Sequence, residues 1–169
     1  MGGHYATVFD ATAAGWHTWH PVLFGAFFCL IGIAMTLRPQ WFPRRAGSRS
    51  ADPRKLGVFF IGFAALWSAG VGWSTWREYS NVMDAAAGGA LKTVEGKVEK
   101  FAPMPYSGHA LERFCVKDAC FAYSDYVVTT GFSNTASHGG PIRADLPVRV
   151  TYLDGGGTGN IIVKLEVRQ

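Results

Sequence analysis

The sequence predicts a membrane α plus soluble all-β protein: two transmembrane helices followed by a small five-stranded antiparallel barrel of the OB type. Three observations predict it. Residues 11–37 and 56–76 carry no formal charge. After residue 91 the hydrophobic period changes from helical to two. Alternating runs then recur as separate strands, with one long interval after the third, which is the strand order of an OB-type barrel.

The helices come first. Each uncharged run can cross a hydrocarbon core of roughly 30 Å, which takes about 20 helical residues. Hydrophobic residues make up 49% of the 169-residue chain and aromatics 14%, an excess concentrated in these two runs. A buried core helix or a signal peptide could also be this apolar. However, residues 1–20 contain no Lys or Arg, and a signal peptide needs a basic start. Trp16 and Trp19, then Trp41, then Trp73 and Trp76 rim the runs as interfacial anchors do. The expected spans are about 16–37 and 56–76, within an N-terminal membrane region, 1–91. Glycines 25, 32, 62, 70 and 72, with Ala26 and Ala69, permit close packing of the two helices or of a partner helix.

Orientation follows from charge. The connecting loop, 38–55, holds Arg38, Arg44, Arg45, Arg49, Arg54 and Lys55 against the single acid Asp52. A short loop this basic stays in the cytoplasm, which places both termini outside; in a bacterium that is the periplasmic side of the inner membrane. The same cations suit anionic lipid headgroups, so the lipid bilayer is the first expected partner. The net charge of +4 comes from this loop and its flanks. Residues 92–169 hold nine Lys and Arg against eight acids, too balanced for a nucleic-acid-binding surface.

Residues 77–91 read as the polar end of the second helix running into a linker that Gly88 and Gly89 make flexible. The β domain, 92–169, then offers strands at about 92–102, 110–116, 119–124, 146–153 and 160–168. In the first, Val94 and Val98 alternate with charges around Gly96, a candidate bulge. In the fourth, Leu146, Val148, Val150 and Tyr152 share a face, and Pro147 suggests an edge position at its start. In the fifth, Ile161, Val163, Leu165 and Val167 line one side.

FCVKDACFAY carries the cysteines. They could be a redox pair, metal ligands or a structural staple. With Lys117 and Asp118 as a two-residue turn, Val116 faces Ala119, Cys115 faces Cys120, and Phe114 faces Phe121 on the opposite side. Directly opposed cysteines lie within disulfide reach, and an extracytoplasmic location is oxidising. We therefore expect a Cys115–Cys120 disulfide. A catalytic pair is more typically C-x-x-C at a helix start, and zinc would need two further ligands. Cys29, in mid-span, reads as a small packing residue.

Two other groups remain. His17 and His20 lie three apart, on one face at the outer end of the first helix, where they fit an interfacial Trp-His belt or, with a ligand from another chain, a haem, metal or quinone site. Tyr106, His109, Asp125, Tyr126, Phe132, Asn134, His138 and Arg143 gather in two loops, the second ending in a Gly139-Gly140-Pro141 turn. Long ordered loops tend to carry function, so these eight form the candidate binding surface. Glu112 closes the first of these loops. Asp125, His109 and His138 are also ingredients of an envelope hydrolase, separated widely in sequence.

The segments VEGKVEKFAPMPYSGHALERF, FAYSDYVVTTGFSNTASHGGPI and VRVTY together resemble a family of small bacterial membrane proteins. Those join hydrophobic helices to a C-terminal OB-like β domain with a YSDY-like segment, a downstream GF and a Gly-Gly-Pro turn. The resemblance covers residues 93–153. It implies a bacterial origin and a shared domain, and it carries no activity or ligand. The expectation is a non-enzymatic inner-membrane protein, with no metal or other cofactor, whose periplasmic domain binds a protein partner or small ligand. An accessory role in a membrane complex, or assembly with copies of itself, would fit.

Overall fold

The computed structural model describes residues 4–42, 52–108, 110–156 and 159–169. In chain order the elements are β1 (Tyr5–Asp10), α1 (Ala11–Ala14), α2 (His20–Leu37), α3 (Pro53–Ala87), β2 (Lys92–Lys97), β3 (Glu99–Ala102), β4 (Glu112–Val116), β5 (Ala119–Tyr123), β6 (Pro147–Leu153) and β7 (Ile161–Arg168), with 3-10 turns at Pro39–Trp41 and Ala136–His138. Two compact units result. One is Thr18–Trp76, and the other joins the residues up to His17 with Arg77–Gln169.

In the helical unit, α2 begins at His20 with Pro21 in its first turn, where a missing N–H costs nothing. Trp16 and His17 therefore precede the helix instead of opening it. The helix ends as the Arg38 N–H reaches the Ala34 carbonyl. Asp52 opens α3 by accepting the Arg54 N–H at 3.1 Å. Both helices are long and apolar enough to cross a membrane. They meet through missing side chains: a Cβ on Gly32 would stand 2.8 Å from the Gly57 carbonyl oxygen, and one on Gly57 2.6 Å from that of Gly32. Gly25 admits Ser68 in the same way, and Cys29 packs with its Sγ 3.9 Å from the Ile61 carbonyl. Gly62 and Gly70 lie outside this contact and face open space.

The second helix does not stop near residue 76. Nothing in REYSNVMDAAA breaks it, and alanines favour its continuation to Ala87. Gly89 then takes a left-handed φ of +68°, and the Ala90 N–H reaches back to the Ala85 carbonyl at 2.9 Å. That is a Schellman termination. The expected flexible linker is an ordered cap.

Among the described residues the β unit contains seven antiparallel-paired strands in two sheets, ordered β1-β7-β6-β2 and β3-β4-β5. Tyr5–Asp10, read from sequence as part of the membrane region, forms an edge strand against β7, with Tyr5 opposite Arg168 and Asp10 opposite Lys164. The expected strand 92–102 is two strands. At Val98 the chain leaves β6 and turns to β4, held by Val98 N–H to Leu146 O and Asp145 N–H to Val98 O, each 3.0 Å. Gly96 stays in register opposite Val148, and the irregularity falls instead at β3, where Lys100 adopts a φ of +49°. The missing Cβ at Gly96 leaves room for Val116 of β4. Pro147 does open its strand, but β6 is central, so only that first position tolerates it.

The β4–β5 hairpin has the anticipated register: Phe114 opposite Phe121, Cys115 opposite Cys120 and Val116 opposite Ala119. Cys115 and Cys120 form a disulfide across Cα atoms 4.0 Å apart. The two sheets do not close into a barrel. Among the described residues β5 and β7 meet in an isolated parallel bridge, Phe121 to Asn160, with Asn160 Nδ2 donating to the Cys120 carbonyl at 3.0 Å. Beyond that bridge a loop intervenes, and Phe132 N–H donates to the Ile162 carbonyl at 2.9 Å.

Phe114, Phe121, Val148, Val150, Leu165 and Ile142 centre the core. The single face expected for β7 is split by a register shift opposite Thr151 and Tyr152. One extra residue in a strand reverses the faces on one side of it. Leu165 and Val167 therefore join Ile162 in the main core, while Ile161 and Val163 turn to Val82, Met83 and Ala11 in a second cluster. The C-terminal turns of α3 thus cover a sheet face that would otherwise be wet.

Candidate functional site

The segment from Ser124 to Leu146 is long but fastened at short intervals. Ser124 Oγ accepts the Tyr126 N–H at 3.2 Å and donates toward the Met104 sulfur at 3.5 Å. Glu78 on α3 holds the middle, accepting Thr129 Oγ1 at 2.7 Å and the Thr130 N–H at 2.6 Å. Phe132 drops into the core against Phe9 and Tyr123, with ring centroids 5.6 and 5.3 Å away. The Ala136–His138 turn ends on Gly139 at a φ of +92°, and Gly140 N–H returns to the Thr135 carbonyl at 2.7 Å. A Cβ on Gly140 would stand 2.2 Å from the Asn134 carbonyl oxygen, so this closure requires glycine.

Beneath that turn lies Glu112, at 0% exposure the most deeply buried ionisable side chain of the β unit's described residues. Its carboxyl accepts the Tyr123 hydroxyl, the Met104 N–H at 3.4 Å and the Ala136 N–H at 3.0 Å. Burial first, and then the bond to Glu112, push the Tyr123 hydroxyl far above the ordinary phenol range. Glu112 therefore ties the 103–111 loop, the hairpin and the Ala136–His138 turn into one frame. Sequence reading placed it in a loop; the strand alternation that puts it inward beside Phe114 was the available signal.

On this frame four of the eight predicted residues converge. His138 Nδ1 lies 2.5 Å from Asp125 Oδ2. Buried Thr135 reaches the same carboxyl with its Oγ1 at 3.0 Å, and stands 3.3 Å from His138 Nδ1. Tyr106 and Tyr126 flank the imidazole, with ring centroids 5.0 and 6.1 Å from it. Both tyrosines remain exposed, Tyr106 at 75%. The outcome is a carboxylate-oriented imidazole between two accessible aromatic rings.

The other four divide. Phe132 is a core residue. Arg143 is a clasp, its Nη1 donating to the carbonyls of Gly140 and Ile142 at 2.6 Å. Asn134 is exposed and contributes its backbone carbonyl to the Gly140 closure. His109 lies outside the described residues. Of the basic loop, Arg38, Arg54 and Lys55 are exposed, while Arg44, Arg45 and Arg49 also lie outside them. His17 Nδ1 is 3.1 Å from the Gly15 carbonyl, ahead of α2, and His20 stacks on Trp19 at 4.5 Å. They are not two positions on one helical face. No group of three or more His, Cys, Asp or Glu able to hold a metal occurs among the described residues.

The Asp-His pair has the orienting half of a hydrolytic triad. The hydroxyls that reach it, Thr135 and through Thr135 that of Ser137, stand on the Nδ1 side with Asp125. A triad nucleophile belongs at Nε2. This arrangement presents ring faces and hydrogen-bonding groups for contact.

Comparisons with known protein families, with curated proteins and with solved structures find no match.

Proposed function

We propose that this chain is a non-enzymatic bacterial inner-membrane protein whose extracytoplasmic β unit docks a protein partner or small ligand through Tyr106, Asp125, Tyr126 and His138, as an accessory to a membrane complex. The observation that carries the reading is the exposed Tyr-His-Tyr cluster on a rigid support. Aromatic side chains that stay exposed on an ordered frame lose little entropy on binding, and Tyr is enriched at recognition surfaces. In this reading α2 and α3 span the bilayer. Supporting that, Leu23, Phe27 and Leu66 are 56%, 58% and 77% exposed, an outward apolar surface suited to lipid. The β1–β7 pairing holds residues near both termini in one sheet, as two spans require and one would forbid. The six basic residues of the loop then favour the cytoplasm for 38–55 and the periplasm for the sheet. The contact of β5 with Asn160 lies where an OB barrel would close, so we read the unit as an opened relative of that barrel.

The test has two parts. A reporter active only outside the cytoplasm, fused after Gln169, should be active; an inactive fusion of an expressed protein sinks the orientation. A photo-reactive amino acid at Tyr106 should then capture one discrete partner in cells. Tyr126→Ala should abolish that capture while leaving the melting temperature within a few degrees. Capture that survives Tyr126→Ala and His138→Ala would remove the cluster from the binding role.

A further inference from the structure

A second concavity, of about 400 Å³, opens between β5, β7, the 124–132 segment and α3. Most of its walls are apolar, among them Tyr123, Val127, Val128, Phe132 and Ile161. Glu78 supplies a carboxylate to this wall. One of its oxygens, Oε1, takes both hydrogen bonds, from Thr129 Oγ1 and the Thr130 N–H. Among the described residues Oε2 has no partner, and no Lys, Arg or His lines the cleft. A carboxylate oxygen with no protein partner, set beside apolar walls, offers an acceptor for a charged donor that also has apolar surface. The volume falls in the range of organic ligands, roughly 300–1,000 Å³. Glu78 is the one acid among the residues that line the cleft, whereas calcium sites commonly draw on several carboxylates.

We propose that the cleft binds an organic ammonium group carried on an apolar body, the charge meeting Glu78 Oε2 and the body lying against Val127 and Val128. Such an ion matches both wall chemistries at once. Two sources share that chemistry. One is the amine of an aminophospholipid headgroup, since Glu78 follows Trp76 by only two residues in α3; the other is a free soluble amine. This site is separate from the Tyr106–His138 surface and stands or falls independently of it.

The full chain, reconstituted in phosphatidylglycerol nanodiscs, should be titrated with hexylammonium and with hexanol as its uncharged counterpart. Wild type should prefer hexylammonium by at least about tenfold. Glu78→Gln, which keeps an acceptor for Thr129 and Thr130, should erase that preference. Val128→Trp, which fills the cleft with Glu78 intact, should weaken both probes and serves if Glu78→Gln does not fold. In parallel, nanodiscs containing phosphatidylethanolamine should raise the melting temperature of wild type above that of Glu78→Gln. A response to phosphatidylethanolamine alone assigns the lipid source, and one to hexylammonium alone assigns a soluble amine. No charge preference in either arm, or a preference retained by both variants, overturns the proposal.

Discussion

Leu66 on α3 is 77% exposed and Leu165 on β7 is 0% exposed, although each sits in an orderly apolar pattern. In the helical unit large side chains point outward and the contact surface is made by what is missing, at Gly25, Gly32 and Gly57. In the β unit the large side chains interlock inward, Phe114 with Phe121 at 5.1 Å and Phe121 with Tyr152 at 5.2 Å. Helices in lipid gain nothing by hiding leucine from an equally apolar solvent, so close backbone approach is the contact that counts. A sheet in water gains roughly 25 cal/mol for each Å² of apolar surface removed. The contrast predicts that a partner removed from the packed interior will cost most in the β unit, and that added side-chain volume will be felt at the glycines of the helical unit.

The sharpest break should come at Glu112. Replacing Glu112 by Ala removes the buried acceptor of the Tyr123 hydroxyl and of the Met104 and Ala136 N–H groups. We expect a loss of about 3–5 kcal/mol. Denaturant titration followed by far-ultraviolet circular dichroism would read it, and a loss below 1 kcal/mol would contradict the framing role. Next, Gly57→Leu should cost the helical unit about 1–3 kcal/mol by forcing the helices apart. Five of the six tryptophans lie in Thr18–Trp76, so tryptophan fluorescence follows that unit while the circular dichroism of the strands should hold steady. A coupled loss in both signals would break the separation between the units.

Removing the disulfide as Cys115→Ala/Cys120→Ala should cost about 2 kcal/mol, because the closed loop is small. Thiol alkylation of protein taken directly from cells adds a location test: both cysteines should be protected, and free thiols would contradict an oxidising compartment. The smallest effect is electrostatic. On the solvated face Tyr5 donates to Glu95 at 2.8 Å, Arg149 to Glu95 at 3.0 Å, and the Arg149 guanidinium lies 4.2 Å over the Tyr5 ring. The Tyr5 hydrogen bond and then Arg149 hold the Glu95 carboxyl below its usual value. A carboxyl depressed on folding contributes stability above its unfolded pKa of about 4.3, and that contribution is lost as pH falls through the lower folded value. Melting temperatures between pH 6 and pH 3 should therefore fall slightly less steeply in Glu95→Gln than in wild type.

How much of this was legible in the sequence varied with distance along the chain. The register of the 112–123 hairpin followed from a two-residue turn and two coincident pairs, because every interaction in it is local. The alternation in 146–153 survives unchanged. Tyr5–Asp10 gave no such signal: its partner is β7, more than a hundred residues away, and the adjoining apolar run masked it. The face of Ile161 and Val163 was misread because a bulge leaves no mark in composition. In the candidate site, residue types pointed to Tyr106, Asp125, Tyr126 and His138. They could not separate these from Phe132 and Arg143, residue types equally typical of recognition surfaces that here serve the core and a turn. Glu78 and Thr135 went unnoticed because one sits at the end of an apolar helix and the other is an ordinary threonine until Asp125 stands beside it.

The sequence by itself determined the two apolar helices, the period of the strands and the cysteine pairing, since each depends on neighbours within a few residues and on a repeat that side-chain geometry imposes. Only the tertiary structure decided that the N-terminal strand completes the C-terminal sheet, that the two sheets stop short of a barrel, and that a buried Glu112 supports an exposed imidazole between two tyrosines. Those outcomes depend on pairings between distant segments, where many partners are sterically acceptable and the complete set of burials and hydrogen bonds selects among them.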